Sequence, residues 1–307
     1  MAVKQKLGIK LAKGESNEIN IFNLGTLLQF ETHSWQARKM LPKDIRESIV
    51  SDGNGGNWVS GYKRLINPKR LEPINSIIGA ARTFVWDMSL PFPINGVHFI
   101  GNNAVDQVNT ELTTYQYLLD AEVKPFAEDY QKWITEAKKI LKQRDLFNKD
   151  DYPDDIKSRF SIEWRWFNKT IPDNITDEIR EQETQRLHKL FEDTRHDSVL
   201  ALKEGFAAII THLSDTLNDK QKGENKRIRP EAIEKVHKFF ETFQHKNIFD
   251  DMALEKMVNQ AHELMTDLTP LEIRKDKDLE QIISDELNEI KLELNDSIET
   301  YKRKLTF

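Results

Sequence analysis

After residue 104 the apolar residues of this chain settle into a spacing of three and four and keep it. Val105, Val108, Leu112, Tyr115, Leu119, Val123, Phe126, Tyr130, Trp133, Ala137 and Leu141 follow one another in this way. That period places them on one stripe of an α-helix and excludes a strand, whose faces repeat every second residue. Pro125 lies inside the run and is expected to kink it, because proline lacks the N–H and crowds the preceding turn. A second run covers residues 176–221, with Thr176 as its N-cap and Ile179, Leu187, Leu190, Leu202, Phe206, Ile209, Leu213 and Leu217 along it. A third helix starts at Pro230, runs to about His245 and resumes from Asp250 to Leu268. The last, over residues 275–305, carries Leu279, Ile283, Leu287, Ile290, Leu294, Ile298, Tyr301 and Leu305, a seam of coiled-coil type. A helix of ~40 residues is ~60 Å long, so such helices must pack along one another or against other chains. The expected fold is mainly α, an elongated antiparallel helical bundle or coiled coil with a small basic α+β head.

Glycine and charge divide the chain at the start of that periodicity. Ten of the twelve glycines lie at or before Gly101. Residues 1–101 hold 13 Lys and Arg against 8 Asp and Glu, and residues 102–307 hold 32 against 43. The expected division is a turn-rich head over 1–101 and a long-helix bundle over 102–307, with a short strand inserted near 159–167. Within the head, residues 1–22 alternate weakly, as an edge strand or an irregular arm would. Leu24, Leu27, Leu28, Trp35, Met40 and Leu41 predict a helix across 24–50, and residues 51–64 a glycine-rich loop. Residues 69–88 read as a helix, and Asn95-Gly96 between apolar flanks predicts a hairpin over 91–102.

The composition excludes several function classes. No apolar stretch is long enough to span a bilayer, and no membrane contact is expected. Lys residues interrupt the first fifteen positions too often for a signal peptide, so the cytoplasm is the expected compartment. The chain has no cysteine, which removes disulfides, thiolate catalysis and zinc–cysteine sites. No G-x-S-x-G and no H-E-x-x-H occurs. An enzyme is not expected, and no cofactor is.

Three constellations remain. Trp58 and Tyr62 stand beside Lys63, Arg64, Lys69 and Arg70, combining aromatics that stack on bases with cations that meet phosphates. The other possibility is a loop whose aromatics fold back onto the protein. Phe160, Ile162, Trp164 and Trp166 share one side of a strand opposite Glu163 and Arg165, either as a packed sheet edge or as a strand that pairs with another chain. His188, Glu192 and His196 follow an H-x3-E-x3-H pattern that His237, Glu241 and His245 repeat, and Glu234 with His237 forms an E-x-x-H pair. One straight helix sets residues i and i+8 ~12 Å apart, so a single stripe cannot close on one ion. Solvated helix faces are the favoured reading, and a metal-dependent activity is the lesser alternative.

The Trp35-x-Ala37-Arg38-Lys39-x-Leu41 segment, Gly61-Tyr62-Lys63-Arg64-Leu65, Asn67-Pro68-x-x-Leu71 and Gly96-Val97-His98-Phe99-Ile100 carry a resemblance. A following long helix with Phe126 and Trp133 continues it, and Arg159-Phe160-Ser161 is a weaker match. Together they resemble a bacterial and phage family of unknown function whose members are commonly encoded near MoxR-type AAA+ ATPases and von Willebrand A-domain proteins. The resemblance implies a partner or client of such a machine and transfers no catalytic residue. The expected function is a non-enzymatic assembly or adaptor protein that oligomerises or binds a protein partner through its helices. The alternative is single-stranded nucleic-acid binding by the basic aromatic head.

Overall fold

The computed structural model describes residues 21–49, 61–168, 174–221, 230–266, 273 and 276–303. The chain is mostly helical with a small sheet region. Among the described residues, no helix is long and apolar enough to cross a membrane.

The first departure from expectation is at residues 24–50. Gly25–His33 is a strand, β1, and Arg38–Met40 a second, β2; only Lys43–Ile49, α1, is helical. The reason is burial on both faces. Leu27 and Leu28 are neighbours in sequence and both fully buried, one with Phe99 and Leu90, the other with Val85, Ile100 and Val108. A central strand of this kind loses the alternation that marks a half-exposed one, and its leucines then imitate a helical spacing. Tyr62–Arg64 is also a strand, β3, which pairs antiparallel with β2 so that Arg38 faces Arg64 and Lys39 faces Lys63. Asn67 accepts from the backbone N–H of Lys69 and starts a single 3-10 turn before α2, Glu72–Met88.

The predicted hairpin is present in reduced form. Gly96 takes the left-handed φ of +74° in the turn, and Val97–Gly101 forms β4. The opposite arm is a single bridge, Leu90 to Phe99. Pro91 and Pro93 explain this, because neither can donate a ladder hydrogen bond. β4 pairs with β1, and β1 pairs on its other side with β5, Ser161–Phe167, giving an antiparallel sheet in the order β4-β1-β5.

The 105–141 run divides into α3, Val105–Glu128, and α4, Tyr130–Leu141, with Asp129 between them. The helix therefore breaks four residues after Pro125, whose carbonyl accepts from Asp129 N–H. α2 and α3 cover one face of the sheet. A larger apolar cluster joins α2, α3 and α4 to the 147–162 segment through Ile74, Ile78, Phe126, Tyr130, Trp133, Tyr152 and Phe160.

The remaining helices are α5, Asp177–Gln221; α6, Pro230–Lys246; α7, Met252–Met265; and α8, Lys277–Arg303. Thr176 caps α5 as expected, its hydroxyl accepting from Ile179 N–H at 3.4 Å. Asp251 caps α7 through Leu254 N–H at 3.0 Å. α5 and α8 run antiparallel, since Lys203 meets Ser297, Ser214 meets Asn288 and Asp215 meets Lys291. On α8 the buried stripe is Ile283, Leu287, Ile290, Leu294 and Ile298, five of the eight predicted seam residues; Leu305 lies outside the described residues. The first four residues of the stripe, with Phe206, Ile210, Val236, Phe243 and Met257, enclose one apolar core.

The composition break at Gly101 and the grouping of the cores do not coincide. α3, α4 and β5 pack with the strands that precede Gly101, whereas the last core draws only on residues from Leu202 onward. Gly101 marks a contact instead. A Cβ there would lie 2.8 Å from the His245 carbonyl oxygen, so its bareness lets the α6–α7 turn sit directly on β4. Asn103 Nδ2 donates to the Gln244 carbonyl and Lys238 pairs with Asp87 across the same junction.

Candidate functional site

The β2–β3 ribbon scatters the predicted basic cluster. Lys63 is turned inward: its Nζ donates to the Leu146 carbonyl at 2.6 Å and pairs with Asp151 Oδ2 at 2.6 Å, both side chains being about a tenth exposed or less (7% and 10%). It holds the ribbon to the segment before β5. Tyr152 does the same one step further along, donating its hydroxyl to the Leu65 carbonyl, and burial with the nearby Asp151 charge pushes that phenol up to about 12. Arg70 lies over the Trp133 ring at 4.0 Å, on the flank of the apolar core. Lys69 remains exposed. Tyr62 is half exposed, with the Arg38 guanidinium 5.3 Å from its ring centre, and both line a hollow of about 480 Å³ together with Arg64, Ile66 and Asn75. Trp58 lies outside the described residues.

The partner-strand residues also separate. Phe160 is buried against Phe126, edge to face at 5.7 Å, and offers nothing to a partner. Trp164 and Trp166 turn their rings towards α3, where Asn109 Oδ1 accepts from both indole N–H groups at 3.0 and 3.1 Å. Among the described residues, what β5 leaves open is its backbone. Phe30 N–H donates to the Gly96 carbonyl and Asn102 N–H to the Leu24 carbonyl, so the even-numbered residues of β1 bond to β4. The odd-numbered ones therefore bond to β5, at Ser161, Glu163, Arg165 and Phe167. Ile162, Trp164 and Trp166 point their backbone groups away from the sheet, and Gln116 Nε2 reaches only the first of these carbonyls, at 3.4 Å.

The two histidine stripes do not converge. Among the described residues, no three His, Asp or Glu side chains are grouped as metal ligands. Glu192, Glu234 and Glu241 are exposed, as is His188. His196 stacks on Tyr301 at 5.0 Å, His237 meets the edge of Phe240, and His245 belongs to the turn that sits on Gly101.

The feature that sequence reading missed is a cleft of about 650 Å³ between α2, β4, α5 and α6. Leu90, Phe92, Leu202, Ile209 and Phe239 supply apolar wall. Arg82, His98 and Lys246 line it as well, and none of its described lining residues is Asp or Glu. Arg82 donates Nε and Nη2 to Thr32 Oγ1 at 2.8 and 2.5 Å. His98 Nδ1 lies 3.1 Å from Ser89 Oγ, with Phe30 and Trp86 edge-on to the ring. Burial holds the His98 imidazole below its usual pKa. Burial also lowers the Lys246 ammonium, against the opposing pull of Asp87. At the mouth Trp86 is 72% exposed. On the α5 side Gly205 leaves open space, since a Cβ there would meet nothing within 4 Å. No local pattern signals this cleft, because its walls come from segments more than a hundred residues apart. The nearest hint was the Gly96-Val97-His98 segment.

A family model described as a protein of unknown function, DUF3150, matches residues 24–268. No curated protein and no solved structure matches the chain.

Proposed function

The chain belongs to the DUF3150 family, and we propose that it is a non-enzymatic assembly or adaptor protein that binds a protein partner, or a second copy of itself, by strand addition to β5. The edge of the sheet that the described residues leave unpaired carries this reading. Ile162, Trp164 and Trp166 present backbone donors and acceptors at the outer side of a strand with no proline in it, and such an edge templates another strand. Pairing through the backbone gives affinity, and the exposed Glu163 and Arg165 between the outward positions give register. Helix-mediated association is the second half of the proposal. The α5–α8 pairing supports an elongated antiparallel bundle, and Ile282 and Leu292 on α8 are 56% and 71% exposed. The resemblance of the head motifs makes a MoxR-type AAA+ ATPase the first partner to try, in the cytoplasm. Light scattering with residue-resolved amide exchange tests this. Added protection restricted to Ile162, Trp164 and Trp166, in an oligomer or a complex with the ATPase, is the expected result. A monomer whose outward amides exchange alike with and without the ATPase sinks the strand-addition reading.

One observation favours nucleic-acid binding as a second reading: exposed Tyr62 shares a hollow with Arg38 and Arg64. It predicts salt-sensitive binding of single-stranded DNA that weakens on Tyr62→Ala and Arg64→Ala. Unchanged affinity in both variants removes it.

A further inference from the structure

The cleft between α2, β4, α5 and α6 combines cationic lining, no carboxylate among its described lining residues and an apolar wall, in an acidic chain. The whole protein has a net charge of −6, and residues 102–307, which supply α5 and α6, are the acidic part. Yet the described lining holds Arg82 and Lys246 and no carboxylate. Asp87, which is not among the lining residues, pairs with Lys238 at 2.5 Å and also attracts the Lys246 ammonium. Among the described residues Arg82 has a threonine hydroxyl as its partner and no acid, so part of its five-donor fork stays available. Lys246 makes no hydrogen bond or ion pair among the described residues, although it is partly buried. Around these cations the wall is aliphatic and aromatic, and the volume is that of a small-molecule site.

We propose that this cleft binds a free apolar monocarboxylate: the chain lies against Leu90, Phe92, Leu202, Ile209 and Phe239, and the carboxylate is held by Arg82 and Lys246. The two cations fix the sign of the head group, because an anion desolvated here gains charge-assisted hydrogen bonds that a neutral or cationic head cannot make. Gly205 keeps one side bare. Its lack of a side chain leaves open the α5 side of the cleft, beside exposed Ala201 and buried Leu202. Trp86 stands at the entrance with its ring perpendicular to that of His98, so occupancy of the cleft changes the surroundings of both. The site is separate from the β5 edge and does not depend on the function proposed above.

Calorimetric titration of the full chain with decanoate, 1-decanol and decyltrimethylammonium tests it, with the His98 ring signals followed by NMR. Saturable one-to-one binding of decanoate with a shift at His98 is expected. Decanol should bind at least about tenfold more weakly, the worth of one hydrogen bond to a charged group, and the cationic analogue not at all. Arg82→Gln, at an exposed position, should weaken decanoate by a similar factor and leave decanol unaffected. Gly205→Leu should abolish both by filling the α5 side of the cleft, with circular dichroism confirming the helix. Equal affinity for decanoate and decanol, or decanoate binding that survives Gly205→Leu, overturns the proposal. So does tighter binding of a short peptide ending in phenylalanine, which would assign the cleft to a chain terminus.

Discussion

Replacing Lys63 by methionine separates a structural role from a surface role at one position. In the fold the Lys63 ammonium is surrounded: Leu146 O and Asp151 Oδ2 are each 2.6 Å away, and neither charged side chain is more than 10% exposed. Methionine keeps the length and apolar stem but leaves the Asp151 carboxylate buried without its cation and the Leu146 carbonyl without its donor. Removing one partner of such a pair costs about 3–5 kcal/mol, most of it the desolvation of the charge left behind. At a urea slope of about 1–3 kcal/mol/M, even the lower figure moves the unfolding midpoint down by about 1–3 M. The assay can be local. All six tryptophans lie at or before Trp166, so tryptophan fluorescence reports the sheet and the helices α2–α4, whereas far-ultraviolet circular dichroism also weighs α5–α8. The fluorescence transition should shift by the full amount. Adding Asp151→Asn should recover a large part of the loss, because the unpaired charge is gone. A Lys63→Met protein whose fluorescence midpoint corresponds to less than about 0.5 kcal/mol, the range of ordinary surface changes, would refute the buried-pair reasoning. Lost polyanion binding in a Lys63 variant is therefore no sign of phosphate contact unless Arg64 and Tyr62 variants lose it too.

Gly205→Ala should stabilise the chain by about 1 kcal/mol, because alanine is the better helix former and its Cβ would meet nothing within 4 Å; thermal melts against Gly79→Ala, where the space is equally open, check the magnitude. Gly101→Ala should do the opposite, since the added Cβ would lie 2.8 Å from both the His245 carbonyl oxygen and Ile248 Cγ2; a loss of about 1–3 kcal/mol is expected, and a melt unchanged from wild type would show that the junction gives way. The depressed pKa of His98 makes the unfolded state bind the extra proton first. Its contribution to stability is therefore fully present above about pH 6.5 and is lost as the pH falls through the lower folded value. His98→Gln should flatten that part of the stability profile, measured by urea titration across acidic pH.

Much of the helical part was legible without coordinates. The 3–4 runs, the Thr176 cap, the start at Pro230 and the α8 stripe all depend on neighbours within one or two turns, and such signals survive tertiary packing. β5 was legible for a similar reason: Ile162, Trp164 and Trp166 alternate with Glu163 and Arg165, as residues of a strand with one covered face must. β1 was not, because it is covered on both faces and its leucines fall by accident at helical intervals. In sequence the basic cluster reads as a surface, because lysine next to arginine and tyrosine usually is one. The chain around Lys63 contains nothing to say that Asp151 would arrive to bury it.

Period, capping and turn chemistry are properties of adjacent residues, and they determined that this protein is mostly helical, with a small sheet near its glycine-rich beginning. Which strand is central, which backbone edge stays open, which lysine is interior and where acid-free surface closes into a cleft are decided by groups dozens to over a hundred residues apart. Only packing brings Asp151 to Lys63, the His245 carbonyl to Gly101, and α5 and α6 across from Arg82. The cores also regroup the chain. α3, α4 and β5 join the strands before Gly101 because burying the apolar faces of a three-stranded sheet needs more surface than the first hundred residues can supply.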